Sequence, residues 1–128
     1  MIKVTLREVL EGQETLQKLS NQVLKGRTAF QIGRMLKKIE EVLTSYNDTR
    51  MKLIQKYAKR KEDGEFDVNE KSEYQFTPEN MQAYVDEINK LIAETVEIEA
   101  NPIRFEDIEN LEFTAAEATF LDPFVAEE

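Results

Sequence analysis

The chain has 128 residues, of which 41% are apolar and 34% charged, with a formal net charge of −9, a balance typical of one soluble domain. The absence of Cys and His from the sequence excludes disulfides, thiolate chemistry and the commonest ligands of transition metals. No apolar run approaches the ~20 residues of a membrane span and no signal-peptide core follows the first residues, so we expect a cytoplasmic protein that does not enter a membrane.

The N-terminal segment predicts a short strand followed by a helix. Apolar and polar residues alternate from Ile2 to Leu6, as in a strand with one buried face. A capping box that begins at Thr5 marks the start of a helix over about residues 6–24, with Gly12 as a weak point on its apolar face. Gly26 is placed to end this helix in the left-handed conformation that glycine tolerates best.

A long helix over about residues 28–61 is expected to organise the chain. Thr28 and Gln31 form a second capping box, and apolar residues then recur at steps of three and four. Because the apolar face rotates midway, we expect the first helix to pack on the first half of the long helix and a later helix on its second half. The seam consists of Ile32, Leu36, Ile39, Leu43, Tyr46, Arg50, Leu53 and Tyr57.

Four residues of this seam, Tyr46, Arg50, Leu53 and Tyr57, are expected to have a structural role. A buried guanidinium is costly unless it is paired. We therefore expect a carboxylate from the region of the third helix to meet Arg50 and to fix the register of the helices. The candidate carboxylates are Asp86, Glu87 and Glu94.

After the long helix, alternating aromatic and polar residues predict a β-hairpin over about residues 65–76. Thr77 followed by Pro78 forms a strong helix start, which predicts a third helix over about residues 78–95. The segment Val96–Ile98 alternates like an edge strand. We expect this strand to pair with the N-terminal strand.

The C-terminal segment, residues 103–128, is both acidic and aromatic. Four of the seven Phe residues lie in it, and a further capping box begins at Thr114. We interpret it as a strap, an ordered segment that packs over the helices, with the chain free from Phe124 onward. The alternative is an exposed docking peptide, in which the Phe rings insert into a partner and the acidic side chains attract a basic partner surface. The strap would pack through Phe105, Leu111, Phe113, Phe120 and Leu121. The predicted partner-binding residues are Phe120, Asp122, Phe124, Glu127 and Glu128.

Paired carboxylates are the remaining candidates for chemistry. Glu8, Glu11 and Glu14 recur at a three-residue spacing, and Glu94 and Glu97 form a further pair. Such pairs hold Mg²⁺ in all-helical nucleotide pyrophosphohydrolases. In a chain with 26 acidic residues they also arise by chance, and no Gly-rich phosphate loop accompanies them. We therefore predict no catalytic residue, metal or cofactor, and keep a Mg-dependent enzyme as the third alternative.

The charge is divided sharply along the chain. Residues 1–61 contain 14 basic and 6 acidic residues, whereas residues 62–128 contain 3 basic and 20 acidic residues. We expect the two halves to neutralise each other; the alternative is a basic nucleic-acid arm joined to an acidic tail. Lys38, Lys52 and Lys59 share one row of the long helix, but acidic neighbours and the lack of interleaved aromatic residues argue against direct nucleic-acid binding.

These elements predict one mainly α domain of the α+β class over residues 1–128. It has a long central helix with two antiparallel partner helices, a β-hairpin between the second and third helices, and short edge strands. The sequence pattern of this domain is most distinctive in four stretches: TLREVLEGQETLQKLSNQ, LKKIEEVLTSYNDTRMKLIQKY, KEDGEFDVNE with YQFTPEN, and IRFEDIENLEFTAAEATFL. In these stretches the chain resembles a family of short uncharacterised phage and prophage proteins. The resemblance covers most of the chain and implies a viral protein acting in a bacterial cytoplasm or in an assembling particle.

We predict a non-enzymatic protein that acts by protein–protein interaction, as a component of virion assembly or morphogenesis, in the cytoplasm of the host cell or associated with the virion. Its partner would be a phage structural protein or a host protein. Spare apolar surface on the long helix would also allow a homo-oligomer. The alternative is an acidic inhibitor of a host or defence protein, whose acidic half imitates the charge of nucleic acid.

Overall fold

The computed structural model describes residues 1–126 and is mainly helical, with short strands. The predicted fold class, mainly α with a small β component, is confirmed. In chain order the elements are β1 (Ile2–Thr5), α1 (Leu6–Ser20), α2 (Gly26–Tyr57), α3 (Pro78–Ile92), β2 (Thr95–Ile98), β3 (Ile103–Arg104), α4 (Phe105–Ile108), α5 (Ala115–Leu121), a 3-10 helix (Asp122–Phe124) and β4 (Val125–Ala126).

The chain falls into two compact units. The first contains residues 1–43 and the chain from residue 93 onward, and the second contains residues 44–92. The long helix α2 begins in the first unit and ends in the second. The core of the first unit is built from α1, the start of α2, the strands and the C-terminal elements, and its most deeply buried side chains include Val9, Leu16, Ile32, Met35, Ile39, Ile98, Ile103 and Phe124.

Strands β1 and β2 form an antiparallel pair, with Ile2 opposite Ile98. The predicted pairing is confirmed, and it buries Ile2, Val4 and Ile98 because alternate side chains of a strand point to the same face. The capping box of α1 also forms as predicted. The Thr5 backbone N–H donates to Glu8 Oε1 at 2.8 Å, and the Glu8 backbone N–H donates to Thr5 Oγ1 at 3.2 Å.

The junction between α1 and α2 differs from the prediction. Helix α1 ends at Ser20, earlier than predicted, because the backbone closes a tight turn there. Gly26 does not end α1 in a left-handed conformation; it begins α2. The Ala29 N–H donates to the Lys25 carbonyl at 2.9 Å, so helical hydrogen bonding starts before Thr28. Thr28 is therefore a buried residue inside the helix, and the prediction that it caps the helix is wrong.

In the second unit, a hairpin follows the end of α2. The isolated bridge between Val68 and Tyr74 joins the two arms of the predicted hairpin, so the predicted pairing occurs without continuous strands, and a second bridge, between Arg60 and Phe66, joins the first arm to the chain that follows α2. The rings of Phe66 and Tyr74 meet edge to face with centroids 5.3 Å apart. The Arg60 guanidinium lies 4.3 Å from the centroid of the Phe66 ring. The aromatic contact therefore links the two arms, and the cation–π contact links the first arm to the chain after α2, where the backbone ladder is short.

The bounds of the helices in this unit follow from the hairpin and from one cap. Helix α2 ends at Tyr57, earlier than predicted, because the Lys59 N–H donates to the Gln75 carbonyl at 2.7 Å and draws the chain into the hairpin. The predicted start of α3 is confirmed, since Thr77 Oγ1 accepts the backbone N–H three residues further on at 3.2 Å. Helix α3 ends at Ile92, shortly before β2 begins.

Candidate functional site

Ion pairs in the first unit join basic residues of the N-terminal half to acidic residues of the C-terminal half. This arrangement agrees with the expectation that the two halves neutralise each other. Because the cation of each pair is exposed to solvent, such pairs add little stability individually, and their main effect is to compensate charge. Four such pairs are Lys18 Nζ with Glu117 Oε2 at 3.0 Å, Lys3 Nζ with Glu97 Oε1 at 3.7 Å, Arg27 Nη2 with Asp107 Oδ1 at 3.6 Å, and Lys38 Nζ with Glu99 Oε2 at 3.9 Å.

Glu117 is held by two neighbours at once. The Thr114 backbone N–H donates to Glu117 Oε1 at 3.0 Å, which closes the predicted capping box of α5. This hydrogen bond, followed by the one from Lys18, holds the pKa of Glu117 below its ordinary value, because both contacts favour the charged carboxylate. The ion pair and the cap therefore act on the same group.

Phe124, a predicted partner-binding residue, is fully buried. The chain after it is also paired, because β4 runs parallel to β3 with Val125 opposite Ile103. For residues 124–126, the prediction that the chain is free is therefore wrong. The physical reason is that burying a Phe side chain contributes about 1.5–3 kcal/mol, which favours a packed ring over an exposed one.

Two other predicted partner-binding residues, Phe120 and Asp122, are exposed at the end of α5 and the start of the 3-10 helix. Their part in binding stays a prediction. The strap also differs from expectation at Phe105, which is 58% exposed, because Ile108 rather than Phe105 carries the buried side of α4. The last two predicted partner-binding residues, Glu127 and Glu128, lie outside the described residues.

No carboxylate of residues 1–126 forms an ion pair with Arg50. Of the expected partners, Asp86 instead accepts a hydrogen bond from Gln82 Nε2 at 2.9 Å. The guanidinium of Arg50 belongs to a half-buried side chain, so its charged end can stay in water while the stem packs. The whole predicted seam is half-buried along the part of α2 in the second unit, at Tyr46, Arg50, Leu53 and Tyr57.

The first turns of α2 carry an exposed apolar surface whose residues could not be identified from the sequence, although spare apolar surface on this helix was expected. Phe30 is 70% exposed and lies outside the seam that begins at Ile32. A Cβ added at Gly33 would meet no heavy atom within 4 Å, so the groove beside Phe30 is open. We call this surface the Phe30 face; it consists of Gly26, Ala29, Phe30, Gly33, Arg34, Leu36, Lys37 and Glu40.

A second cleft, of about 710 Å³, shares Arg34 with the Phe30 face. One wall is the start of α2, which contributes Arg27 and Arg34, and the other is the chain from Glu99 to Arg104. We call it the arginine cleft. Its residues are far apart in the sequence and form no motif, so only the fold brings them together.

The start of α2, which contributes residues to both surfaces, lies in a stretch of sequence without acidic residues. From Thr15 to Ile39 the chain contains six basic residues and no acidic one. Within residues 1–126, no carboxylate forms an ion pair with Lys25, Arg34 or Lys37. The start of α2 is therefore locally cationic in a protein whose formal net charge is −9.

Within the described part of the chain, no three Asp, Glu, His or Cys side chains are grouped closely enough to hold a metal ion. None of the helices in that part combines the length and the apolar character that crossing a bilayer requires. Comparison of the chain with protein-family models, with curated proteins and with solved structures finds no match. The resemblance to short phage and prophage proteins therefore stays a prediction.

Proposed function

We propose that this protein acts by binding another protein through the Phe30 face. The observation that carries the proposal is the exposure of Phe30, whose side chain is 70% accessible on the long helix α2. An aromatic side chain left in water forgoes about 1.5–3 kcal/mol of burial free energy, which a bound partner can recover. Aromatic residues are also enriched among the few residues that dominate the energy of interfaces.

The shape of the face supports a close-fitting partner. Ala29 and Gly33 have little or no side chain, and the space above Gly33 is open. A partner backbone or side chain can therefore approach α2 closely beside Phe30. The ring of Phe30 would enter the partner, and a partner side chain would fill the groove over Gly33.

The charges around the face favour an acidic partner surface. Two cations, Arg34 and Lys37, and one carboxylate, Glu40, border the groove, and neither cation forms an ion pair within residues 1–126. Charge complementarity speeds encounter and selects among partners more than it adds affinity. A protein partner also agrees better than nucleic acid with a net charge of −9, since a polyanion is repelled at long range.

The resemblance to phage and prophage proteins supports a structural protein of a phage particle as the partner. The corresponding role is virion assembly or morphogenesis in the cytoplasm of a bacterial host or within the particle. A second copy of this chain would occupy the same face in a homo-oligomer. In the alternative role, inhibition of a host or defence protein, the acidic C-terminal half would make the contacts instead.

The proposal is tested by affinity purification of the tagged protein from phage-infected bacteria at low salt and at ~0.5 M salt, where charge attraction is screened within a few ångströms. Wild type is compared with Phe30→Ala and Gly33→Leu, and Arg7→Ala serves as a control at an exposed position outside the face. We expect one protein to be retained by wild type and Arg7→Ala at both salt concentrations and to be lost with both face variants.

The other outcomes are equally informative. Capture of the protein's own second copy, lost with both face variants, supports the face and identifies the partner as this chain. Capture that is equal for wild type and both face variants overturns the proposal. If such a captured protein is a host protein held only at low salt, the contacts are electrostatic and the inhibitor role replaces the assembly role.

A further inference from the structure

We propose that the arginine cleft binds the phosphate group of a small phosphorylated molecule. The wall of the cleft opposite α2 is fixed by Gln31, whose Nε2 donates to the carbonyl oxygens of Asn101 at 3.1 Å and Pro102 at 2.8 Å. Because one side chain holds two successive carbonyls, this wall is in place before a ligand arrives. A pre-formed site avoids much of the ordering cost of binding.

Three guanidinium groups supply the donors of the cleft. Arg34 forms no ion pair within residues 1–126. The guanidinium of Arg27 lies 3.6 Å from Asp107 Oδ1, too far for a strong hydrogen bond, and Arg104 pairs with Glu106. Since a guanidinium carries five N–H donors, a single ion pair leaves donors of Arg27 and Arg104 available to a ligand.

The Glu99 carboxylate in the wall of the cleft does not cancel the positive charge of the three arginines. Glu99 Oε2 lies 3.9 Å from Lys38 Nζ, a cation outside the lining. The lining thus keeps an excess of positive charge in a protein with a formal net charge of −9. An anion is the class of ligand that this local field favours.

The geometry favours a phosphate group over a carboxylate. Arginines reach the cleft from two walls, and a phosphate monoester offers three oxygens in a tetrahedral arrangement, whereas a carboxylate offers two in one plane. The volume of about 710 Å³ is within the range of about 300–1,000 Å³ that small-molecule sites occupy. Three arginines are few for a nucleic-acid strand, whose binding requires many phosphate contacts.

The proposal is tested by titrating the isotope-labelled protein with pyrophosphate, ADP and adenosine at constant ionic strength, while NMR follows backbone and arginine Nε resonances. We expect saturable shifts with pyrophosphate and ADP, centred on Gln31, Arg34 and Asn101, and none with adenosine. Tighter binding of ADP would show that a nucleotide is the source of the phosphate; equal binding would show that the phosphate alone is recognised. Failure of both phosphate compounds to produce saturable shifts in the cleft overturns the proposal.

The variant that separates this site from the Phe30 face is Arg104→Ala, because Arg104 lines only the cleft, whereas Arg34 lines both surfaces. Arg104→Ala should weaken pyrophosphate binding by about tenfold or more, the loss expected for one charge-assisted hydrogen bond, and Arg34→Ala should do the same. Arg7→Ala removes an exposed arginine outside the cleft and should leave binding unchanged, as should Phe30→Ala. Unaltered pyrophosphate affinity in both cleft variants contradicts the assignment, whatever the result for the protein partner.

Discussion

Gly12 of α1 lies directly under the ring of Phe124. A Cβ added at Gly12 would stand 2.5 Å from Cε2 of Phe124 and 3.0 Å from the carbonyl oxygen of Phe120. Both distances are shorter than ordinary van der Waals contact allows, so only a glycine fits at this point of the helix. The close packing of α1 against α5 and the 3-10 helix therefore depends on the missing side chain of Gly12.

Replacing Gly12 by Ala should lower the free energy of unfolding by about 1–3 kcal/mol, because the added methyl group overpacks the contact with Phe124. Helix propensity alone predicts the opposite sign, a gain of about 1 kcal/mol. The matched control is Gly33→Ala, where the space is open and a gain of about 0.5–1 kcal/mol is expected. Urea denaturation measures both. A stabilised Gly12→Ala protein would show that the close contact does not exist.

Replacing Phe124 by Ala should lower the free energy of unfolding by about 3–5 kcal/mol, since the ring is fully buried and its removal leaves a cavity. Phe120→Ala is the control, because Phe120 is 37% exposed and lies in the same segment. We expect a clearly smaller loss for it. Equal and small losses would support the prediction from sequence that the chain is free from Phe124 onward.

Acidification should remove the contribution of Glu117 to stability. Its pKa is lower in the folded protein than its ordinary value, first through the Thr114 N–H and then through Lys18. A lowered folded-state pKa means that the contribution is present above the unfolded-state pKa and is lost as the pH falls through the folded-state pKa. We expect wild type to lose more stability than Glu117→Gln on acidification. An NMR titration of the carboxyl group that places its pKa at or above the ordinary value contradicts this.

Thr5→Ala should destabilise the protein by about 1 kcal/mol, the usual loss when an N-cap side chain is removed. The capping box loses the bond from the Glu8 N–H to Thr5 Oγ1, which measures 3.2 Å. Thr5→Ser keeps the hydroxyl group and should stay close to wild type in thermal unfolding. If Ser and Ala have the same effect, the loss comes from strand packing rather than from the cap.

Local signals predicted local structure well, and the exceptions have a common cause. The capping boxes at Thr5 and Thr114 and the cap at Thr77 form because each depends on residues three positions apart. Thr28 has the same pattern, but the hydrogen bond from Ala29 to Lys25 starts the helix earlier. A local sequence pattern cannot show at which of two neighbouring residues the helix begins in the folded protein.

The candidate sites were less predictable because they depend on contacts between distant parts of the chain. Phe124 is found among acidic residues near the C-terminus, and its burial depends on the glycine at position 12. Phe30 is an ordinary aromatic residue in a helical stretch, and only the position of the core leaves it exposed. The arginine cleft joins Arg34 and Arg104 without any shared motif.

The most direct test of the central claim is the affinity of the purified, captured partner for wild type and for Gly33→Leu, measured by calorimetry. The leucine side chain projects into open space in the free protein and fills the groove of the Phe30 face, so the fold is kept while the contact is blocked. We predict at least about a tenfold loss of affinity, which corresponds to about 1.4 kcal/mol. Equal affinities for the two proteins would show that the partner does not bind this face.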